Sequence, residues 1–365
     1  MDNSFTIIYQ KLVRARSPEE VFGTFKSPDP QEQLSKLKSQ YRYLIRQVHP
    51  DKNTSHSKEQ HIASEATNIL TEHYNTAKEA ISNGTYGTSI TKRYHHKDIE
   101  ITFSVNDYDY NIFSDSVEGD FCQVYYGERS NAEGDIENIC LKVVNDIDDN
   151  ELMLNELQIL RNIHHKSLPV YLDSFQIEDG RRANVLRRIE ESYDLHAMRK
   201  YFPNGLPQEH SVWVMDRLLS VLGYLHINNA IHGSIEPGNI IVTPYNHNGL
   251  LIDFLLSIPD AHLKGAKYVG VNEFSAPEIE SGAKPHPASD MYSLGKSMIY
   301  LLGGQDKTFP SGLDSRIVQF IQGFLHDDPS ERRDDAWKAW HELKDLRVNL
   351  FGASSQFLEL KIGGK

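Results

Sequence analysis

The stretch Ile231-His232-Gly233-Ser234-Ile235-Glu236-Pro237-Gly238-Asn239 runs directly into the strand-like Ile240-Ile241-Val242. Downstream come Leu251-Ile252-Asp253-Phe254-Leu255, then Ala276-Pro277-Glu278, then Asp290-Met291-Tyr292-Ser293-Leu294-Gly295. Arg332 follows Asp328-Pro329. Upstream, Ile139-Cys140-Leu141-Lys142 alternates like a strand and ends in lysine. Glu156 lies beyond it on an amphipathic stretch with Leu157, Leu160 and Ile163. The region from about 100 to 190 reads as strand-rich, with one helical stretch at 148–163. From about 194 to 350 the pattern is mostly helical.

No single tripeptide in this series is persuasive, but the ordered set is highly specific. It resembles the protein kinase fold from about 101 to 350, with a β-rich N-lobe at 101–190 and an α-rich C-lobe at 194–350. The resemblance implies that Lys142 contacts the α- and β-phosphates of ATP and pairs with Glu156. It implies that Asp253 and Asn239 hold magnesium, and that Gly119, Val124 and Cys140 line the nucleotide site. Glu278 with Arg332, and Asp290 under the catalytic loop, would be structural braces.

The departures from the family pattern are equally specific. Ser234 stands where the family has the aspartate that accepts the substrate proton, and a hydroxyl is a poor base near neutral pH. Glu236 replaces a lysine that neutralises the transferring phosphoryl group. At about 4 Å and an effective dielectric near 20, a unit charge pair is worth about 4 kcal/mol, here with reversed sign. Gly233 replaces the arginine that clamps a phosphorylated activation loop. Val117-Glu118-Gly119-Asp120-Phe121-Cys122-Gln123-Val124 keeps one of three family glycines, and Leu255 replaces the glycine after Asp253-Phe254. These departures lead to the expectation of a pseudokinase with no catalytic residue. Nucleotide binding stays open: Lys142, Glu156, Asn239 and Asp253 favour it, while the thin glycine loop and Glu236 oppose it.

The N-terminal 82 residues read as helical. Leu34, Leu37, Tyr41, Leu44, Ile45 and Val48 share one helix face, while Lys38, Arg42 and Arg46 recur every four residues on another. Pro50 stops this helix at a turn carrying His49, Pro50, Asp51 and Lys52. A second amphipathic helix is expected over about 59–81, with Ile62, Ala66, Ile69, Leu70, Tyr74, Ala77 and Ile81 toward the first. Two antiparallel helices joined by a His-Pro-Asp loop resemble the J-domain over about 17–82, with Thr67 where a bulky apolar residue is expected. The resemblance implies that Lys38, Arg42, Arg46, His49, Pro50 and Asp51 engage a DnaK-type chaperone and promote its ATPase.

The expected fold class is therefore α+β: a small all-α J-domain hairpin at 1–82, a linker at 83–100, a bilobal kinase-like domain at 101–350 and a tail at 351–365 without readable role. The linker holds a basic patch at 92–97, read as solvated. A net charge of -13 argues against a nucleic-acid partner. The absence of a long apolar run and of a basic leader leads to the expectation of a cytoplasmic protein without membrane association. Cys122 and Cys140 cannot form a disulfide scaffold, and the adjacent pairs His95-His96 and His164-His165 lack zinc-ligand spacing, so no structural zinc is expected. The first functional expectation is a co-chaperone adaptor whose pseudokinase domain binds a client or other partner protein. The alternatives are an atypical active kinase, with Glu236 as a displaced base, and an ATP-binding nucleotide sensor.

Overall fold

The computed structural model describes residues 3–15, 17–25, 27, 29–50, 57–87, 98–263, 265–352 and 360–362. Asp51, Lys52, the patch at 92–97 and most of the tail lie outside the described residues. The chain divides into two compact units, residues 1–96 and 97–365.

The first unit holds helices α1 (Asn3–Arg14), α2 (Pro18–Phe22), α3 (Pro30–Val48) and α4 (Ser57–Ser82). Helix α3 starts where the Asp29 carboxylate accepts from Gln31 N–H, with Pro30 in the first turn. It ends at Val48 because His49, preceding Pro50, is held extended. Leu37, Val48, Ile62, Ala66, Leu70, Ala77 and Ile81 are buried, as the apolar periodicity requires. The Tyr41 ring packs on Tyr74 at 4.3 Å between centroids, and Val48 meets Thr67, so α3 and α4 run antiparallel. Thr67 donates a long hydrogen bond of 3.5 Å to the Val48 carbonyl. A polar residue at this position thus meets an orphan carbonyl at the end of α3.

The second unit opens with a six-stranded antiparallel sheet in the order β1-β2-β3-β4-β6-β5. Its strands are β1 (Ile99–Val105), β2 (Tyr108–Glu118), β3 (Cys122–Ser130), β4 (Ile136–Val144), β5 (Tyr171–Gln176) and β6 (Arg182–Arg187). The helical stretch expected over 148–163 is a 3-10 turn at Ile147–Asp149 followed by α5 (Asn150–Asn162). Tyr110, Ile112, Ile139, Leu141, Ala183 and Val185 form the sheet's own core.

The second lobe is built on α6 (Leu195–Tyr201), α7 (Gln208–Ile227), α8 (Pro277–Glu280), α9 (Pro287–Leu301), α10 (Ser315–Gln322) and α11 (Ala336–Phe351). A small sheet, β7 (Tyr193–Asp194), β8 (Ile240–Thr243) and β9 (Asn248–Leu251), completes it. Helices α7 and α9 are buried over most of their circumference, from Val212 to Leu225 and from Ala288 to Leu301. Their near-continuous apolar composition reflects a position inside the lobe. The bilobal, kinase-like architecture is thereby present. Among the described residues no helix is long and apolar enough to cross a membrane.

Candidate active site

Lys142 lies in the middle of the sheet, opposite Val124 of β3 on one side and Asn184 of β6 on the other. Strand alternation puts Cys140 on the same face as Lys142. The Lys142 Nζ donates to Glu156 Oε1 of α5 at 2.7 Å and to Asp253 Oδ1 at 2.7 Å. Burial alone would lower the Lys142 pKa, but the Asp253 and Glu156 carboxylates overcome it and hold the ammonium firmly protonated. Burial likewise opposes ionisation of Asp253, yet Lys142 keeps its carboxyl below the ordinary range. Asp253 sits at a φ of 64°, in the left-handed region, and its side chain is 39% exposed. From this backbone the carboxylate meets the Lys142 ammonium of the sheet.

The catalytic-loop stretch is braced from below by Asp290. Its carboxylate accepts from the backbone N–H of His232 and of Gly233, both at 2.9 Å, and pairs with His226 Nε2 at 2.9 Å. The buried His232 ring bonds the Ile252 carbonyl at 3.1 Å. Gly233 adopts a φ of 76°, and a Cβ there would lie 2.9 Å from the Leu256 carbonyl oxygen. The glycine thus answers a backbone requirement, beyond the loss of an arginine.

Asn239 donates its amide to the Ser234 carbonyl at 2.9 Å, and its own carbonyl accepts from Ile252 N–H at 3.0 Å. That second bond sets Asn239 beside Asp253. Ser234 N–H donates to His232 Nδ1 at 3.3 Å. Glu236 is half-buried. Burial raises the Glu236 carboxyl above its ordinary range; Asp253, Asp120 and Glu273 add to the rise and His196 opposes it. The Glu236 side chain lies beside Gly238 and His196, at the start of the 3-10 turn Pro237–Asn239.

Gly119 forms the turn between β2 and β3, where a Cβ would meet the Cys122 carbonyl at 2.9 Å. Asn145 donates to the carbonyls of Gly119 at 2.9 Å and Asp120 at 3.2 Å, tethering this loop to the end of β4. Leu255 is buried with Cys122, Val144 and Met153. It plugs the space between the glycine loop, β4 and α5, while Asn155 donates to its carbonyl at 3.3 Å. Burial pushes the Cys122 thiol up to about 11 and the Cys140 thiol up to about 12, so both are neutral near pH 7.

Beyond Asp253, Ile258 and Ala261 pack against Ile231 at the start of the catalytic-loop stretch, with Tyr268 against them. Glu278 and Arg332 form the expected tie, Nη1–Oε1 at 2.6 Å and Nη2–Oε2 at 2.8 Å. In the first unit Lys38, Arg42 and Arg46 are exposed, His49 is exposed at the end of α3, and Pro50 is half-buried.

Asn145 and Asn184 were not anticipated from the sequence. A single asparagine has no spacing signal, although Asn184 is the lone polar residue inside the apolar run Ala183–Leu186.

The donor set suits magnesium. Asp253 supplies a carboxylate, and Asn239 commits its amide nitrogen to Ser234, which leaves its side-chain oxygen as the ligand end. Hard oxygen donors beside a lysine are what a magnesium–phosphate group requires. Among the described residues no group of three or more His, Cys, Asp or Glu is placed to hold a metal ion by itself.

Two lobes, a buried lysine–glutamate pair and a carboxylate at the cleft define a protein of the kinase class. The chain belongs to the protein kinase domain family, whose pattern matches residues 117–350. It is 29% identical over 247 residues to the cytokinesis protein sepH of Aspergillus terreus, covering 61% of this chain and 18% of that protein. A probable serine/threonine-protein kinase of Dictyostelium discoideum is 26% identical over 241 residues, 59% of this chain and 47% of that one. Serine/threonine-protein kinase B of Synechocystis sp. is 31% identical over 168 residues, 42% of this chain and 28% of that one. The chain thus spans less than half the length of each of these relatives.

These findings correct the first functional expectation. The matches identify a protein kinase domain, and relatives bearing serine/threonine kinase names argue against a catalytically dead pseudokinase and against leaning toward no enzyme. None of them identifies the N-terminal helices as a J-domain, so the DnaJ-like co-chaperone reading is withdrawn. A helical hairpin with a basic face is a generic solution to packing two amphipathic helices, and a His-Pro-Asp turn does not make it specific. The pseudokinase reading rested on residue identity at Gly233, Ser234 and Glu236, on the thin glycine loop and on Leu255. Residue identity carries no information on the enclosure that raises the Glu236 pKa.

Proposed function

We propose that the domain binds ATP with magnesium in the cleft and transfers the γ-phosphoryl group to a serine or threonine hydroxyl, with Glu236 as base. The observation that carries this is the assembled Lys142–Glu156–Asp253 constellation, with both hydrogen bonds from Lys142 at 2.7 Å. Lys142 would engage the α- and β-phosphates, and Glu156 holds its ammonium in line. Asp253 and Asn239 would hold magnesium, which when bound neutralises charge on the phosphate oxygens.

Glu236 is two residues beyond Ser234 in the catalytic-loop stretch, and burial raises its carboxyl above the ordinary range. A base tuned that way accepts the hydroxyl proton more effectively. Its charge stands where a lysine stabilises the transition state in the family, so transfer is expected to be slow.

The test is radiolabel transfer from ATP with magnesium, alongside a thermal shift with the same ligand. Wild type should transfer label, Lys142→Met should abolish transfer, and Glu236→Gln should lower the rate by about 10²–10⁴ without losing the thermal shift. Binding without transfer by wild type would overturn the enzyme and favour the second reading, an ATP sensor, for which Ser234 at the base position speaks. Absence of any shift would overturn both.

A further inference from the structure

We propose that Asn184 is a positioning residue, which holds Glu156 and helix α5 in the arrangement that Lys142 needs; this rests on the kinase reading above. Asn184 is completely buried, on β6 directly opposite Lys142. Its Nδ2 donates to Glu156 Oε2 at 3.0 Å and to the Met153 carbonyl at 3.0 Å. Both acceptors lie on one turn of α5, so a single side chain staples the helix to the sheet at two points. Glu156 is then held from two sides. Oε1 receives Lys142 and the Phe254 N–H at 3.4 Å, while Oε2 receives Asn184.

The orientation of the amide follows from its neighbours. Two acceptors face Nδ2, and a flipped amide would set Oδ1 against a carboxylate and a carbonyl. The consequence is visible at the other end: Asn184 Oδ1 is buried and accepts no hydrogen bond from the described residues. An unpaired buried acceptor is costly, and an apolar side chain among Ala183, Val185 and Leu186 would avoid it. The retained amide is explained by its two donations. A buried carboxylate that receives donors on both oxygens is fixed in orientation as well as in position.

The experiment uses the full chain with Asn184→Leu and Asn184→Asp, each first checked for a cooperative thermal melt. Hydrogen exchange over 150–162 and the kcat and KM for magnesium-ATP are then compared with wild type. Asn184→Leu should speed exchange in α5 and lower kcat by about 10- to 100-fold, as expected for misplaced reacting groups. Asn184→Asp keeps the shape but donates only when protonated. Burial and the neighbouring Glu156 would raise the pKa of a carboxyl there against the opposing pull of Lys142 on the facing strand, so the ratio of variant to wild-type kcat should rise as pH falls. A role confined to packing predicts a pH-independent ratio. Unchanged α5 exchange together with unchanged kcat in Asn184→Leu, or a flat pH ratio for Asn184→Asp, would overturn the proposal. If wild type transfers no phosphate, the kinase reading fails by itself, and the exchange comparison still decides the role of Asn184.

Discussion

Glu236 shows how a side chain's chemistry depends on where it is enclosed. Burial and the charges of Asp253, Asp120 and Glu273 raise its carboxyl pKa. The base form exists above that raised value, so the transfer rate should climb as pH rises through it, at a pH above the ordinary carboxylate range. Glu236→Gln should remove this limb from a pH–rate profile. Gly233 is a second case. Its φ of 76° lies in the region that disfavours a Cβ, and a Cβ would approach the Leu256 carbonyl at 2.9 Å. Gly233→Ala is expected to cost about 1–2 kcal/mol from the backbone alone, read as a lowered midpoint in urea unfolding. Restoring an arginine there would meet the same obstacle.

Among the elements, α5 matters most because it carries Glu156 and borders the cleft. It is attached to β4 through Lys142, to β6 through Asn184 and to the segment after Asp253 through Leu255. Leu255 is 2% exposed among Cys122, Val144 and Met153. Leu255→Ala should leave a cavity and cost about 2–5 kcal/mol, measured by chemical denaturation. The apparent affinity for magnesium-ATP should weaken as well, because the same plug supports the glycine loop. Sequence reasoning treated Leu255 only as a loss of glycine's freedom. Its packing partners come from three separate segments, and no local pattern announces them.

For the whole molecule, the second lobe depends on charges taken out of water and then satisfied. Arg332 is 6% exposed and binds both oxygens of Glu278. Arg332→Met should cost about 3–5 kcal/mol, because Glu278 is left without its partner. Pairing it with Glu278→Leu should recover part of that loss, which a double-mutant cycle would show. Asp290 contributes to the acid sensitivity of this lobe. Burial opposes its ionisation, but His226, His232 and the Gly233 N–H hold its pKa below the ordinary value. A lowered carboxylate pKa adds stability above the unfolded-state value, near 3.9. That stability is lost as pH falls through the lowered folded value. Asp290→Asn should therefore flatten the acid limb of thermal stability while lowering stability at neutral pH.

Local pattern alone conveyed the helix faces of α3 and α4, the alternation of β4, and the ordered residue types from Lys142 to Arg332. These follow from periodicity and from residue chemistry, which act over a few positions and need no knowledge of the fold. The departures at Gly233, Ser234, Glu236 and Leu255 were legible for the same reason, as identities at known places in an order. Their consequences were not legible. Lys142 meets Asp253 across 111 residues, and Asn184 meets Glu156 across 28. The rise in the Glu236 pKa comes from burial and from carboxylates brought in by other segments. Electrostatic energies scale inversely with distance and with the local dielectric, and both are set only when remote segments close around a group. The tertiary structure therefore decided which carboxylate stays charged, which can accept a proton, and which asparagine holds the helix beneath them.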